Sequence, residues 1–324
     1  MKEVRLDLFK LHDENDGGKG RIKIISDENF YRNFLRELRF KLGLRNKDIA
    51  KKINMSYFDF MKNVQGNKIP INSLEKLIEL YANFTENSKQ IIYEVFEDNL
   101  KSIVCGSGKA FSTINYVDCL TEDLCRIAGA MVTDGCLYID RDERGCSYVV
   151  ELSDYYESNV KLFCGWINNV FGVKLGYKHH KLKRYFEVRF KNKIIFRYLN
   201  KILGIPHGNK SKIVSMPSII KDADVNYKRA FVSGALIFDG GVIFKSGYYQ
   251  FASQSSSLMR DIEFVLSESG INPDYLESQD KKLVYRLLIR DKEKLKILLQ
   301  HFIPKESSKY IQLKSHLEGI GKFS

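Results

Sequence analysis

Two aspartates stand out by type and place: Asp134 closes the stretch "RIAGAMVTDG" and Asp239 closes "FVSGALIFDG", each followed by glycine. The phrases match by position as well as composition, because Gly129 and Gly234 are 105 residues apart and so are Asp134 and Asp239. Each has the length of a helix and is apolar on most sides, with Ile127, Met131 and Val132 in the first and Val232, Leu236 and Ile237 in the second. A helix apolar nearly all round is buried. The small residues Ala128, Gly129 and Ala130, matched by Ser233, Gly234 and Ala235, let two such helices approach backbone to backbone. Each acid then falls at a helix C-terminus, where Gly135 or Gly240 is expected to take the left-handed cap and the negative end of the helix dipole repels the carboxylate. Two such carboxylates side by side repel each other further, and a divalent cation relieves both. No competing active site is present: the chain has no Gly-rich phosphate loop, no nucleophile elbow and no His-Glu zinc pattern.

A repeated unit must position the two acids. After Asp134 the pattern predicts a hairpin in "CLYIDRDERGCSYVVELSD", a helix in "ESNVKLFCGWINNVFG", strands in "VKLGYKHHKLKRYFEVRF" and a helix in "NKIIFRYLNKILG". After Asp239 the order returns: a hairpin in "VIFKSGYYQFASQ", a helix in "SSSLMRDIEFVLSESG", strands in "YLESQDKKLVYRLLIR" and a helix in "DKEKLKILLQHF". Both units reach an Ile-Pro pair, Ile205-Pro206 and Ile303-Pro304. The fold class is therefore α+β, with two tandem αββαββα repeats over 121–226 and 227–324.

At these residues the chain resembles the LAGLIDADG homing endonuclease family in its single-chain, two-repeat form. The resemblance covers roughly residues 121–324 and is carried by the paired motifs with the same element order after each. It implies motif helices packed at a pseudo-twofold axis, two saddle-shaped antiparallel sheets astride double-stranded DNA, and a monomer. It also implies Asp134 and Asp239 as ligands of Mg2+ or Mn2+ at the scissile phosphates, hydrolysing phosphodiesters without a covalent intermediate. Thr133 and Phe238 depart from the family, which often has a small residue before each acid. The family's basic residue after each repeat's last helix resembles Lys212 and Lys309, aligned on the serine-lysine steps of "GNKSKIVSMP" and "PKESSKYIQL", with Lys210 and Lys305 as neighbouring alternatives. Its polar residue at the end of the second strand resembles Asp154 in "ELSD" and Gln254 in "FASQ".

The charge balance, 52 basic against 40 acidic residues and a net +12, favours a polyanionic partner. In "RYFEVRF", Tyr185, Glu187 and Arg189 share one face and Phe186, Val188 and Phe190 the other; in "VYRLLIR", Arg286 and Arg290 lie opposite Tyr285, Leu287 and Ile289. Such faces, with Gln250 on the second hairpin, suit a sheet lying in a major groove. "YKHHKLKR", residues 177–184, is expected to be a turn whose Lys183 meets phosphates, with His179 and His180 as loop residues. The six cysteines form no Cys-x-x-Cys pair and read as free thiols. No signal peptide or membrane span is visible, which points to a cytoplasmic or nucleoid-associated protein.

Ahead of the repeats, residues 1–90 read as a small, mainly helical domain resembling a repressor-type helix-turn-helix over 27–82, with a β-hairpin within 1–25. Asn46 and Ser56 are expected to cap its two motif helices, and the second helix to present Tyr57, Lys62 and Asn63 to a groove. Residues 91–120 read as a connector with a helix around "KQIIYEVFEDN" and a flexible "CGSGKAFS". Three functions remain open: a site-specific, metal-dependent DNA endonuclease, a non-cleaving DNA-binding regulator built on the same fold, and an RNA-binding intron maturase. Retention of both aspartates favours the first, and the helix-turn-helix favours the second.

Overall fold

The computed structural model describes residues 3–14, 16, 21–27, 29–85, 99–106, 112–142, 145–278 and 283–319. The chain forms two compact units, one over residues 6–118 and one from residue 119 onward that takes in the N-terminal segment up to Arg5.

The first unit contains β1 (Ile22–Ser26), α1 (Phe30–Leu42), α2 (Asn46–Lys52), α3 (Tyr57–Gln65), β2 (Lys68–Pro70), α4 (Ile71–Thr85), β3 (Leu100–Cys105) and β4 (Ser112–Asn115). Its antiparallel sheet, ordered β2-β1-β3-β4, buries Ile22, Ile24, Ile69 and Ile103 in a core shared with Leu38, Ile49, Phe60 and Leu74 from the helices. Among the described residues the expected hairpin over 1–25 does not form. Arg5 instead forms an antiparallel bridge with Cys119, and Asp7 accepts the Phe9 N–H at 3.2 Å and opens a single 3-10 turn over Leu8–Leu11, a local alternative to continuing as a strand. Strand β1 pairs instead with β2 and with β3, which lies in the stretch expected to be a connector. The helix expected around "KQIIYEVFEDN" lies outside the described residues, as do residues 107–111 of "CGSGKAFS".

Helices α2 and α3 are joined by a short turn in which Asn54 has φ 56°. Ser56 caps α3, accepting the Asp59 N–H at 3.1 Å. The cap of α2 is Arg45 rather than Asn46, because Asp48 in the first turn accepts the Arg45 backbone N–H at 3.1 Å and draws the helix start one residue earlier.

The second unit runs α5 (Glu122–Val132), β5 (Gly135–Asp142), β6 (Gly145–Asp154), α6 (Glu157–Phe171), β7 (Lys178–His180), β8 (Tyr185–Lys191) and α7 (Lys193–Arg197), which passes into a π turn at Tyr198–Ile202. After the short α8 (Ser218–Lys221) the order returns as α9 (Val225–Asp239), β9 (Gly240–Ile243), β10 (Tyr248–Ser253), α10 (Ser256–Glu268), β11 (Asp274–Ser278), β12 (Val284–Ile289) and α11 (Lys292–His301), followed by α12 (Ser308–Leu317). The two antiparallel sheets share one plan, β5-β6-β8-β7 and β9-β10-β12-β11. His179 and His180 lie in strand β7, paired with Phe186 and Tyr185, and not in a loop.

Helices α5 and α9 cross through their glycines. A Cβ on Gly129 would lie 2.0 Å from the Phe231 carbonyl oxygen, and one on Gly234 would lie 2.1 Å from that of Arg126. Shifting each residue of one contact by 105 gives the other, the reciprocity of an axis of twofold type between the helices. Phe238 is buried and does not hold the helices apart. Gly135 and Gly240 do not adopt the expected left-handed cap: Gly240 is extended (φ −86°, ψ 161°) and Gly135 is absent from the positive-φ glycines. Both open strands at close approaches, since a Cβ would lie 2.5 Å from Met131 Sδ at Gly135 and 2.1 Å from the Tyr249 hydroxyl at Gly240. No helix among the described residues is long and apolar enough to cross a membrane.

Candidate active site

The helix crossing brings Asp134 and Asp239 together. Asp239 is the last residue of α9, whereas α5 ends at Val132 and Thr133 turns the chain (φ −90°, ψ −101°), its hydroxyl donating to the Gly129 and Ala130 carbonyls at 3.1 and 3.0 Å. The two carboxyl groups lie within interaction range of each other. Both are exposed at the surface, yet the closely packed protein beneath them disfavours charge. That desolvation, followed by the repulsion of Asp134, raises the Asp239 pKa to about 7. Desolvation, followed by Asp154, also raises that of Asp134.

Two lysines flank the pair. Lys210 Nζ donates to the carbonyls of Val132 and Thr133 at 2.8 and 2.6 Å, where the end of α5 leaves carbonyls unpaired and favours a cation. Desolvation lowers its pKa to about 8 against the pull of Asp239 and Asp134. Lys309, in the first turn of α12 rather than in a loop, is likewise lowered by desolvation and opposed by Asp154, Asp134 and Asp239. Its Nζ lies 5.5 Å from the centre of the Tyr156 ring. Lys210 and Asp239 line a cleft of about 440 Å³ with Thr133, Ser211, Ser253 and Gln254.

Lys212 is not beside the carboxylates. It stands exposed in the turn after Lys210, and Lys305 is exposed as well. The Ile-Pro pairs could not have separated the candidates, because Lys309 is five residues past Pro304 while Lys210 and Lys212 are four and six past Pro206. Asp154 is 8% exposed and accepts the Tyr156 N–H at 2.6 Å and the Asn159 side-chain N–H at 3.1 Å. Gln254 is not its counterpart. The ladders pair Gly135 with Leu152 and Gly240 with Phe251, so Asp154 corresponds to Ser253, which accepts the Ser255 N–H in the same way at 3.2 Å. Gln254 lies one residue further on, where its Oε1 is 3.5 Å from the Ser211 hydroxyl.

On the open face of the first sheet, Arg189 pairs with Glu151 at 3.5 Å and lies 5.7 Å from the Tyr138 ring centre. Lys191 pairs with Asp140 at 3.8 Å, and His180 Nε2 meets Glu187 at 2.5 Å. Lys183 is exposed. On the second sheet Gln250 and Arg286 are half-buried and Arg290 is exposed, with Arg290 paired to Asp274 and 5.5 Å from the Tyr248 ring centre. In the first unit Tyr57 and Lys62 are exposed, but Asn63 faces inward at 6% exposure, accepting from Lys23 Nζ at 3.1 Å. The six cysteines are free. Among the described residues no three or more His, Cys, Asp or Glu gather as a metal site.

Residues 226–302 match the LAGLIDADG-like domain family. The match runs from α9 to the end of α11. The structure of the chain is similar to that of the homing endonuclease I-DmoI in complex with DNA and Ca, at 19% identity and a TM-score of 0.46, covering 60% of this chain and 98% of that one. It is also similar to full-length DUF199/WhiA from Thermatoga maritima, at 11% identity and a TM-score of 0.40, covering 63% and 62%. No curated protein sequence matches the chain.

Proposed function

We propose that the second unit is a divalent-metal-dependent endonuclease acting on double-stranded DNA. The observation that carries the reading is the pair Asp134–Asp239, pressed together at the helix crossing, open to a cleft and flanked by Lys210 and Lys309. The donor set fits Mg2+ or Mn2+: two neighbouring carboxylates with hard oxygen donors, whose charged forms are disfavoured by desolvation and by neighbouring carboxylates, and room in the cleft for phosphate oxygens and water. Mg2+ is commonly bound in this way, by one or two carboxylates completed by substrate phosphates. When bound, the metal supplies an activated water and neutralises the leaving oxygen.

The chain's own residues do the rest. The Val132 and Thr133 carbonyls aim the Lys210 ammonium along one side of the cleft, and α12 presents Lys309 on the Asp154 side. Each lysine offsets charge developing on one of two phosphates, one per strand. Arg189, Lys183, Arg286, Arg290 and Gln250 spread polar contacts along the sheets to hold the duplex. A non-cleaving DNA-binding role is the second reading, favoured by the capped pair α2–α3 with Tyr57 and Lys62 exposed.

The deciding experiment incubates the full chain with a supercoiled plasmid library carrying randomised inserts, in Mg2+ or in Ca2+, and sequences the new ends. Defined cuts in Mg2+ that vanish in Asp134→Asn and Asp239→Asn are expected. Binding without cuts in any divalent metal would leave the second reading in possession.

A further inference from the structure

The segment that carries each lysine at the cleft is tied to the other repeat. Lys309 belongs to the tail of the second repeat, yet its neighbour Ser308 gives both its backbone N–H (3.1 Å) and its hydroxyl (3.2 Å) to Oδ1 of Asn159 on α6 of the first. The Asn159 Nδ2 donates in turn to Asp154 Oδ2 at 3.1 Å and to the Ile237 carbonyl, two residues before Asp239, at 3.4 Å. Asn159 is 0% exposed, and both N–H donors and both oxygen lone pairs of its amide are used. The orientation of the amide is fixed by its partners, because a backbone N–H can only donate and a carbonyl can only accept.

The opposite exchange occurs on the other side. Lys210 belongs to the tail of the first repeat, where the Ile213 and Val214 N–H groups close on its carbonyl at 3.0 and 3.2 Å. The Val214 carbonyl then accepts the hydroxyl of Ser255 at 2.5 Å, and Ser255 is the fully buried N-cap of α10 in the second repeat. Helices α6 and α10 begin at corresponding places, so Asn159 corresponds to Leu258, which is also fully buried. Simple packing would be served by leucine at both positions. An amide with four polar partners, three of them in the other repeat and the fourth at Asp154, is a costly core residue unless those partners must be held.

We infer that Asn159 and Ser255 are positioning residues that hold Lys309 and Lys210 across the repeat boundary, so that each half of the cleft is assembled from both repeats. The kinetic consequence rests on the nuclease reading; the structural one does not. Asn159→Leu copies the corresponding residue and should raise hydrogen–deuterium exchange in a peptide spanning 307–312 while leaving 210–216 unchanged. Ser255→Ala should do the reverse. Should Asn159→Leu fail to fold by circular dichroism, Ser308→Ala removes only the hydroxyl contact of the same latch and carries the exchange test.

With duplexes recovered from the plasmid library, single-turnover nicking in Mg2+ should show Asn159→Leu slowing one strand about 10–100-fold, the scale of a misplaced reacting group. The other strand should change less than about twofold, and Ser255→Ala should favour the opposite strand. Equal slowing of both strands, or exchange that rises in both segments or in neither, overturns the assignment. If the wild-type chain cuts no duplex, the nuclease reading fails while the exchange result still decides the latches.

Discussion

Gly129→Ala places a methyl group where the opposing helix already stands. The added carbon would lie 2.0 Å from the Phe231 carbonyl oxygen, against about 3.4 Å for ordinary contact, so α5 and α9 must separate by roughly 1.4 Å. Neither neighbour can yield alone, because the Phe231 oxygen and the Ala235 nitrogen at 2.7 Å are helix backbone. The strain spreads into Ala128, Ala130, Val232 and Ala235, all fully buried, and overpacking of this kind costs about 1–3 kcal/mol. For a unit of about 200 residues that corresponds to a fall in Tm of roughly 2–12 °C. The same separation pulls Asp134 from Asp239, so calcium-induced stabilisation should shrink along with the Tm. Gly165→Ala is the control: Gly165 sits inside α6 with nothing within 4 Å of its Cβ position, and helix propensity there should raise stability by up to about 1 kcal/mol. Differential scanning calorimetry of both variants, with and without Ca2+, makes the measurement. A Gly129→Ala protein that melts within about 1 °C of wild type and keeps its calcium response would refute the helix crossing described above.

The protonation of Asp239 gives a pH signature. A carboxyl raised in the fold to about 7 stabilises the metal-free protein at low pH and loses that contribution as pH climbs through 7. Metal-free Tm should therefore fall from pH 5.5 to 7.5 more steeply in wild type than in Asp239→Asn, and the gain from Ca2+ should grow over the same range; parallel curves would contradict the assignment. Lys210→Met and Lys309→Met should each slow one strand selectively in single-turnover nicking, whereas Lys212→Met should cut both strands at nearly the wild-type rate. In the first unit, Lys62→Ala should lower the salt slope of duplex binding by about one, as for one phosphate contact, with no change in Tm. Asn63→Ala should instead lower the Tm by leaving Lys23 unpartnered, which thermal melts beside anisotropy titrations would distinguish.

The repeat, the two acids and the element order were legible because they rest on periodicity and on a 105-residue coincidence that no local accident produces. The lysine of the first repeat was not legible. Lys210 and Lys212 carry the same charge two residues apart, and only the unpaired carbonyls at the end of α5 select between them. The Asp154–Gln254 pairing failed by one residue for a related reason: composition marks where a strand ends, but register is set by the ladder from Gly135 to Leu152 and from Gly240 to Phe251. The sheet of the first unit joins β1 to β3 across more than seventy residues, and short-range patterns carry no information about such a partner. Asn159 was invisible as an ordinary polar residue in a helix, since its meaning lies in Ser308 and Ile237.

The exchange of contacts at Gly129 and Gly234 bears on descent. A surface that meets its own image under a shift of 105 residues would serve two separate identical chains as well as two halves of one, so the helix crossing itself does not require that the halves be joined. In a pair of identical chains any substitution appears twice and must suit both sides of the axis. Once the halves share a gene they can diverge separately, and the asparagine at 159, where the other repeat has Leu258, is such a difference. A chain cut within 207–224 and expressed as two fragments is the present-day form of that ancestry.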